Sequence, residues 1–270
     1  MNILLKVFRK LKRVYYRVFF NSDQVKKLLD HKEKRIQIIG KVLQDTLNGS
    51  YSDSEVDVSE QVENLRKKLI KQDRKIEFSD NKEKQLESVS YLASVASKKK
   101  KWGRFLMKLV SSNGIRNALE FGTCIGISTI YQAKGIKDGK LSSLEGLHHR
   151  KLLAEENLNT LNVNNVVIYE GRFDNTLPKV LEEKGSFDYV FLDGDHSYQA
   201  TVENFRKILA HLERNSIVVI DDIKWSKGMN RAWTEIKSMS EVYCVIDLFV
   251  VGIVVIGDVE ERVESKVALW

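Results

Sequence analysis

The chain has 270 residues, of which 43% are hydrophobic, enough for a sizeable core in one domain with an extension or in two small domains. Its two cysteines, Cys124 and Cys244, are too few for a disulfide framework and indicate a reducing compartment. No apolar run approaches the roughly 20 residues needed to cross a bilayer, and the N-terminus lacks a signal-peptide cleavage pattern. We therefore expect a cytoplasmic protein.

The net charge of +7 is unevenly distributed along the chain. Residues 1–100 carry 23 of the 44 Lys and Arg side chains but only 14 of the 37 Asp and Glu side chains. The remaining residues are slightly acidic, so only the N-terminal part could support binding to nucleic acid. We expect no nucleic-acid partner.

Residues 1–20 form a strongly basic segment with six Lys or Arg side chains and no acid. The basic positions recur every three or four residues, and aliphatic and aromatic side chains occupy the other faces. This pattern predicts a basic amphipathic helix, which can lie in a membrane interface over anionic lipid. Such a helix could place the protein at the inner face of the membrane. Alternatively, it docks on its own domain or on the partner in a homodimer.

The next part of the chain has the apolar spacing of further helices. Three helical stretches are predicted: residues 23–47, residues 58–75, and one that begins at Ser79 or Asp80 and contains Leu86, Val89, Leu92 and Val95. A polar linker separates the first two. We therefore divide the sequence into a helical extension, residues 1–80, and a second domain, residues 81–270.

After about residue 115, short apolar runs alternate with amphipathic stretches. Five predicted strands, each followed by a predicted helix, lie at residues 117–122, 140–146, 166–171, 187–194 and 216–223. This alternation predicts βαβ units and a mostly parallel sheet. Residues 242–247 and 251–258 are too close together for a parallel crossover and should form an antiparallel hairpin. The expected fold is a Rossmann-like α/β sheet of seven strands.

Glycines and acids follow the five βα strands. They are Glu120 to Thr123, Glu145 and Gly146, Gly171 to Phe173, Asp193 to His196, and Asp221 with Asp222. Ligands of open α/β sheets bind beyond the carboxyl ends of the strands, so these residues predict one site. Glu145 is placed to accept hydrogen bonds from both hydroxyls of a ribose; alternatively, it is a solvated loop acid. The two glycines of "LEFGTCIGIST" do not make the three-glycine dinucleotide fingerprint.

These motifs, taken as a set, resemble the class I S-adenosylmethionine (SAM)-dependent methyltransferases. The resemblance covers about residues 85–257 and is strongest to a bacterial O-methyltransferase-like subgroup. It is carried by Glu120-x-Gly122-x-x-x-Gly126-x-Ser128, Glu145, "GRFDNTLP", "FLDGDHSY", "IDDI" with Trp225, Ser226, Met229, Ala232 and Trp233, and the closing hairpin.

The resemblance implies a set of cofactor-binding residues. Glu120 and Gly122 would face the methionine end of SAM, Thr123 and Ser128 would donate hydrogen bonds nearby, and Asp193 would lie beside the sulfonium. Glu145 would hold the ribose. The full set is Glu120, Gly122, Thr123, Gly126, Ser128, Glu145, Gly146, Arg172, Phe173 and Asp193, with Arg172 and Phe173 bordering the adenine.

Three carboxylates, those of Asp193, Asp221 and Asp222, follow two strands that should be neighbours. Three ionised carboxylates repel one another, so either one is protonated or a cation lies among them. Oxygen ligands favour a hard cation such as Mg²⁺, and the catechol-type enzymes of this family bind a metal at corresponding strand ends. Alternatively, Asp222 caps the following loop and Asp221 accepts backbone N–H groups.

The attacking hydroxyl must lose its proton, and two residues are candidates for the base. His196 lies three residues after Asp193, and its ordinary pKa near 6.5 suits the task. Asp195 is the competing candidate. His196 could instead cap a helix or orient a metal.

The sequence therefore predicts a SAM-dependent O-methyltransferase acting on a small-molecule, glycan or lipid-linked acceptor. Two alternatives stay open at this point. One is a nicotinamide-dependent oxidoreductase on a similar sheet, and the other is a non-enzymatic, membrane-associated assembly protein with a relic cofactor fold.

Overall fold

The computed structural model describes residues 21–80, 83–258 and 261–269. The amphipathic helix predicted for residues 1–20 lies outside these described residues. The chain forms two compact units. The continuous unit comprises residues 51–190, and the discontinuous unit comprises residues 21–50 together with 191–269.

The described helices and strands follow one another in the order that the βα pattern predicts after residue 115. Before that point they are α1 Asn21–Leu29, α2 Lys34–Asn48, α3 Asp53–Ile70, β1 Lys75–Asp80, β2 Glu83–Ser88 and α4 Lys100–Ser112. The βα units are β3 Asn117–Phe121, α5 Ile127–Gly135, β4 Lys140–Glu145, α6 His148–Thr160, β5 Val166–Glu170, α7 Phe173–Lys184, β6 Phe187–Leu192, α8 Tyr198–Leu209, β7 Leu212–Ile220 and α9 Lys227–Ile236. The chain closes with β8 Val242–Asp247, β9 Gly252–Ile256 and β10 Val263–Lys266.

The main sheet is mostly parallel, as predicted, and its strands follow the order β10-β8-β9-β7-β6-β3-β4-β5. Strands β3, β4 and β5 pair in parallel. Strand β9 pairs antiparallel with both β7 and β8, which confirms the closing hairpin. The inner strands are almost wholly buried because helices cover both faces of such a sheet.

The sheet has eight strands rather than the predicted seven. The additional strand, β10, pairs in parallel with β8. Its sequence, "VESK", has a single apolar residue and so gave no strand signal. Side chains of α1 hold it: the Asn21 side chain exchanges two hydrogen bonds with the backbone of Ala268, and Gln24 accepts from the Ser265 hydroxyl and the Lys266 N–H.

The prediction of a helix that begins at Ser79 or Asp80 is wrong for the first part of that stretch. Strands β1 and β2 form an antiparallel hairpin there, and a short helix starts only at Val89. The Ser88 hydroxyl caps it by accepting the N–H of Tyr91. The spacing that predicted a helix combined residues from two kinds of structure, because Leu86 belongs to a strand and is 63% exposed.

The predicted helix over residues 23–47 is two helices, α1 and α2. The break follows Asp30, where the His31 Nδ1 accepts the N–H of Glu33 at 3.1 Å. The Gln37 side chain donates to the carbonyl of His31 at 2.7 Å, which stabilises the turn.

The two units group the residues differently from the predicted division at residue 80. Residues 21–50 belong with the C-terminal part of the chain, and residues 51–80 belong with the first βα units. Residues 75–80 are a strand, so the predicted helical extension is not helical throughout. Among the described helices, none combines the length and the apolar character that a membrane span requires.

Helices α4 and α5 pack closely at Gly103, and this packing generates a prediction about stability. A Cβ at Gly103 would overlap the ring of Tyr131, which is fully buried and whose hydroxyl contacts Ser59 and Glu63. The ring therefore cannot move aside easily. We expect Gly103→Ala to lower the free energy of unfolding by about 1–3 kcal/mol, although alanine is the better helix former. Denaturant unfolding measures this change.

The matched control is Ser112→Ala, at an exposed position near the end of the same helix. It should change the free energy of unfolding by less than about 0.5 kcal/mol. Equal stability of the Gly103→Ala variant and the wild type would contradict the prediction.

Candidate functional site

In the continuous unit, the loop between β3 and α5 has an unusual backbone. Gly122, Cys124 and Gly126 all have positive φ angles, of 89°, 52° and 81°. The N–H groups of Gly122 and Thr123 both donate to the carbonyl of Leu144 on β4. The loop therefore curls tightly at the end of β3, and side chains larger than hydrogen would be strained at the two glycines.

The Glu120 carboxylate, on β3 just before this loop, is fully buried. One oxygen accepts hydrogen bonds from Ser128 and Gln132, at 3.0 and 2.7 Å. The other accepts from Thr129 and Ser143, at 2.6 and 2.7 Å. Four neutral donors from α5 and β4 thus stabilise the carboxylate.

The structure gives three of the predicted cofactor-binding side chains partners inside the protein. Glu120 and Ser128 bind each other, and the Thr123 hydroxyl lies 2.6 Å from that of Ser143. Their predicted contacts with a cofactor stay predictions. Sequence reasoning missed this network, because "LEFG" and "LSSLEG" do not show that Glu120 and Ser143 lie in register on neighbouring strands.

Glu145 ends β4 and has a different environment. One carboxylate oxygen accepts the Cys124 N–H at 2.7 Å, and the other accepts the Leu147 N–H at 3.0 Å. Burial raises the pKa of Glu145, against the lowering effect of these two hydrogen bonds. Each oxygen accepts one backbone N–H, which leaves each with a lone pair to accept from a ligand hydroxyl. A Cβ on the neighbouring Gly146 would meet no atom within 4 Å, so space is open beside the carboxylate.

The residues predicted to border an adenine lie at the start of α7. Phe173 packs edge-to-face on Phe121, with ring centroids 5.3 Å apart. Arg172 is exposed and pairs with Asp174 at 3.2 Å. Phe173 therefore has a fixed orientation, whereas the Arg172 guanidinium is held only by a surface ion pair, which contributes little.

In the discontinuous unit, three titratable side chains converge. Each of Asp193, His196 and Asp221 offers one ligand atom, and these atoms all lie within 4.8 Å of one another. Asp193 follows β6 and Asp221 follows β7, and the Asp221 N–H donates to the carbonyl of Leu192 at 2.9 Å. The predicted meeting of Asp193 and Asp221 is present in the structure.

His196 also approaches the third predicted acid. Its Nε2 atom lies 3.7 Å from a carboxylate oxygen of Asp193 and 3.9 Å from one of Asp222. Asp222 has a φ of 52°, a strained conformation that turns its backbone at the end of β7. Asp195, the other candidate base, is exposed. Sequence reasoning had placed His196 as a base or a metal-orienting residue and had left it out of the ligand set.

The donor chemistry of this cluster fits a divalent cation. Carboxylate oxygens suit Mg²⁺, Ca²⁺ and Mn²⁺, and an imidazole nitrogen also suits softer metals such as Zn²⁺ or Fe²⁺. With His196 as a ligand, the set favours a metal that accepts nitrogen. With Asp222 in its place, the set favours Mg²⁺.

Comparisons with known proteins match the part of the chain that carries these residues. Residues 119–223 match the family model of a methyltransferase domain. A catechol O-methyltransferase of Niastella koreensis is 32% identical over 124 residues, which are 45% of this chain and 55% of that protein. One of Mycobacterium tuberculosis is 32% identical over 123 residues, covering 45% and 54%.

The chain is therefore similar to methyltransferase domains over residues 119–223. It spans about half the length of the curated relatives that it matches. Solved structures show the same fold. The O-methyltransferase of Bacillus cereus, in complex with S-adenosylhomocysteine (SAH), has a TM-score of 0.56 at 22% identity, over 74% of this chain and 90% of that chain. TomG of Streptomyces achromogenes, in complex with SAM, has a TM-score of 0.55 at 18% identity, over 77% and 91%.

The buried network of the methyltransferase domain generates a prediction that separates two roles of Glu120. Glu120→Gln replaces one acceptor oxygen with an amide that faces donors, so we expect the free energy of unfolding to fall by about 1–3 kcal/mol. Thermal or denaturant unfolding measures this loss.

The control is Glu182→Gln, which alters an exposed acid of α7 and should leave stability unchanged. If Glu120→Gln kept full stability but lost binding of SAH, Glu120 would be a cofactor ligand and not a structural acid.

Proposed function

We propose that the chain transfers a methyl group from SAM to a hydroxyl oxygen of its acceptor. The observation that carries this proposal is the buried Glu145 carboxylate, which accepts hydrogen bonds from two backbone N–H groups. It lies within the residues that match a methyltransferase domain. The O-methyltransferases of Bacillus cereus and Streptomyces achromogenes, which share the fold, bind SAH and SAM, and this supports the same cofactor here.

In this proposal the continuous unit binds the cofactor. Glu145 accepts hydrogen bonds from the two ribose hydroxyls with the lone pairs that Cys124 and Leu147 leave available. The Gly122–Gly126 loop keeps side chains away from the methionine end, and Phe173 offers a fixed aromatic edge to the adenine. When bound, SAM supplies an electrophilic methyl group on its sulfonium.

The discontinuous unit would bind a divalent cation and the acceptor. Asp193 and Asp221 hold the cation, with Asp222 or His196 as the third ligand. A bound cation would orient the acceptor oxygens and lower the pKa of the hydroxyl to be methylated. The contact of Asp193 with the sulfonium that the sequence resemblance implies stays a prediction.

The two candidates for the base are not equivalent in the structure. His196 lies within 4 Å of two carboxylates, which would hold its ring in place. Asp195 is exposed, so water competes for its hydrogen bonds. We propose His196 as the base when Asp222 completes the ligand set, with Asp195 as the alternative.

The loop after Asp222 offers a surface for a ring-bearing acceptor. Trp225 is 75% exposed, although the residues around it are firmly held. The Ile223 N–H donates to Val250, the Trp225 N–H donates to Asp222, and Lys224 pairs with Asp247 at 2.9 Å. A rigid turn thus displays an indole close in sequence to the carboxylates. Stacking on this indole supports a phenol or a sugar as the group that carries the hydroxyl.

The alternatives from the sequence make different predictions about ligands. A nicotinamide-dependent oxidoreductase would bind NAD, but the Gly122–Gly126 loop has two glycines instead of three. A non-enzymatic assembly protein would have no need of a buried acid at Glu145 with space beside it. Membrane contact through residues 1–20, a homodimer and the cytoplasmic location stay predictions.

A transfer assay with methyl-labelled SAM and phenol or sugar acceptors tests the proposed function. We expect transfer to require a divalent cation, so chelation should abolish it and added Mg²⁺ or Mn²⁺ should restore it. Asp221→Asn should lower the rate at least about 100-fold, because even residues that only support metal ligands cost 10- to 100-fold.

The control is Asp258→Asn, which changes an exposed acid of the same unit and should leave the rate unchanged. Calorimetry with SAH and with NAD accompanies the assay. Binding of NAD without binding of SAH would contradict the proposal, and full activity in the presence of a chelator would contradict its metal component.

The exposed indole gives a separate prediction about the acceptor. Trp225→Ala should raise the KM for a ring-bearing acceptor roughly two- to tenfold, since an aromatic stacking contact contributes about 0.5–1.5 kcal/mol. Trp225→Phe keeps a ring and should change this KM less. Neither variant should alter the KM for SAM. Equal acceptor KM values for all three proteins would rule out the stacking role.

A further inference from the structure

The start of α6 carries the wrong charges for the N-terminus of a helix. This helix follows Glu145 by two residues, and its first turn holds His148, His149, Arg150 and Lys151 with no acid. The residue before it, Leu147, provides no side-chain cap. Cationic side chains are unfavourable at the positive end of the helix dipole, so another element must supply the compensating charge.

Glu170 on β5 pairs with His148 and Lys151, and Glu87 on β2 supplies the charge for His149 and Arg150. Its carboxylate accepts two hydrogen bonds from the Arg150 guanidinium, at 2.6 and 2.9 Å, and lies 2.8 Å from the Nε2 atom of His149. The side chains of Glu87 and His149 are 16% and 8% exposed. A bidentate pair between a carboxylate and an arginine is among the strongest ionic contacts in proteins.

Among the described residues, Phe78 of the hairpin and Arg74, which precedes it, also contact α6. The Phe78 ring stacks on the His149 ring, with centroids 4.4 Å apart and an angle of 18° between the planes. Arg74, just before β1, pairs with Glu156 farther along the helix, and both side chains are about half exposed. The Glu87 contact differs from these two because it involves Arg150, whose charge acts on Glu145.

Arg150 has two carboxylates within electrostatic reach. The hydrogen bonds that Arg150 donates to Glu87 raise the pKa of Arg150, and the charge of Glu145 raises it further. Burial alone would raise the pKa of Glu87, but the hydrogen bonds from Arg150 and His149 outweigh this effect and hold it below its ordinary value. The guanidinium is therefore bound to Glu87 while it attracts Glu145 only at longer range.

We propose that Glu87 is a positioning residue for the cofactor: it holds the Arg150 guanidinium away from Glu145 and so leaves that carboxylate available to the ribose hydroxyls. This inference rests on the proposed function, because it assigns the ribose to Glu145. Without Glu87, the guanidinium can turn toward Glu145, the other carboxylate whose charge acts on it. An Arg150–Glu145 pair would occupy the lone pairs that the ribose requires.

Calorimetric titration with SAH tests this role through four variants. Glu87→Gln should weaken SAH binding roughly tenfold, because a competing charge-assisted hydrogen bond then occupies Glu145. The double variant Glu87→Gln with Arg150→Gln should restore binding to within about threefold of the wild type, since the competing cation is gone. Arg150→Gln alone should bind SAH as the wild type does. Arg74→Gln, which breaks the other ion pair between the hairpin region and α6, should also bind normally.

The same measurements separate positioning from simple support of the fold. If Glu87 only docked the hairpin, the double variant would bind SAH as weakly as Glu87→Gln or more weakly, and Arg150→Gln alone would lose affinity. Either result overturns the inference, as does wild-type affinity in the Glu87→Gln variant. If Glu87→Gln does not fold, judged by circular dichroism, Arg150→Gln alone decides between the two roles.

Failure of the proposed function has a different signature. In that case the wild-type protein itself binds no SAH, whatever residue stands at position 87. If the wild type binds SAH and Glu87→Gln binds it with the same affinity, only the positioning role is contradicted.

Discussion

Burying the Glu120 carboxylate is the constraint on which the continuous unit depends. An ionised carboxylate loses its hydration inside a protein, and only several well-placed hydrogen bonds offset that loss. Glu120 receives four, from side chains on α5 and β4. To bring these donors to one carboxylate, the chain must reverse tightly after β3. The backbone makes this reversal with positive φ angles at Gly122 and Gly126.

Two glutamates at neighbouring strand ends thus have complementary tasks. Glu120 uses its whole acceptor capacity inside the protein and fixes the shape of the loop. Glu145 uses half of its acceptor capacity for hydrogen bonds from backbone N–H groups of that loop and of the turn before α6. The other half stays available to a ligand. The difference arises from the donors around each acid and not from the residue type. The loop that Glu120 shapes is also the loop whose Cys124 N–H orients Glu145, so the structural acid supports the proposed binding acid.

The sequence predicted features that leave a local pattern, and it missed features that depend on contacts between residues far apart in sequence. The alternation of short apolar runs and amphipathic stretches predicted the βα units and the closing hairpin, because burial on both faces of a parallel sheet leaves a local pattern. The meeting of Asp193 and Asp221 followed from the rule that parallel strands end at one edge. The β1–β2 hairpin was missed because Phe78 and Glu87 are stabilised by contacts with α6, which lies about 60 residues away in sequence. The donors to Glu120 were missed for the same reason, since no local pattern encodes the register of β3 and β4.

The contacts between α1 and β10 determine the order in which the protein can be completed during synthesis. Asn21 bonds to Ala268, 247 residues later, so the discontinuous unit cannot close until Ala268 has left the ribosome. The continuous unit has no such dependence, and its residues are all present before β7 is made. Domains generally fold as units while the chain emerges. The continuous unit can therefore form first, while α1 waits for residues 263–268 to emerge.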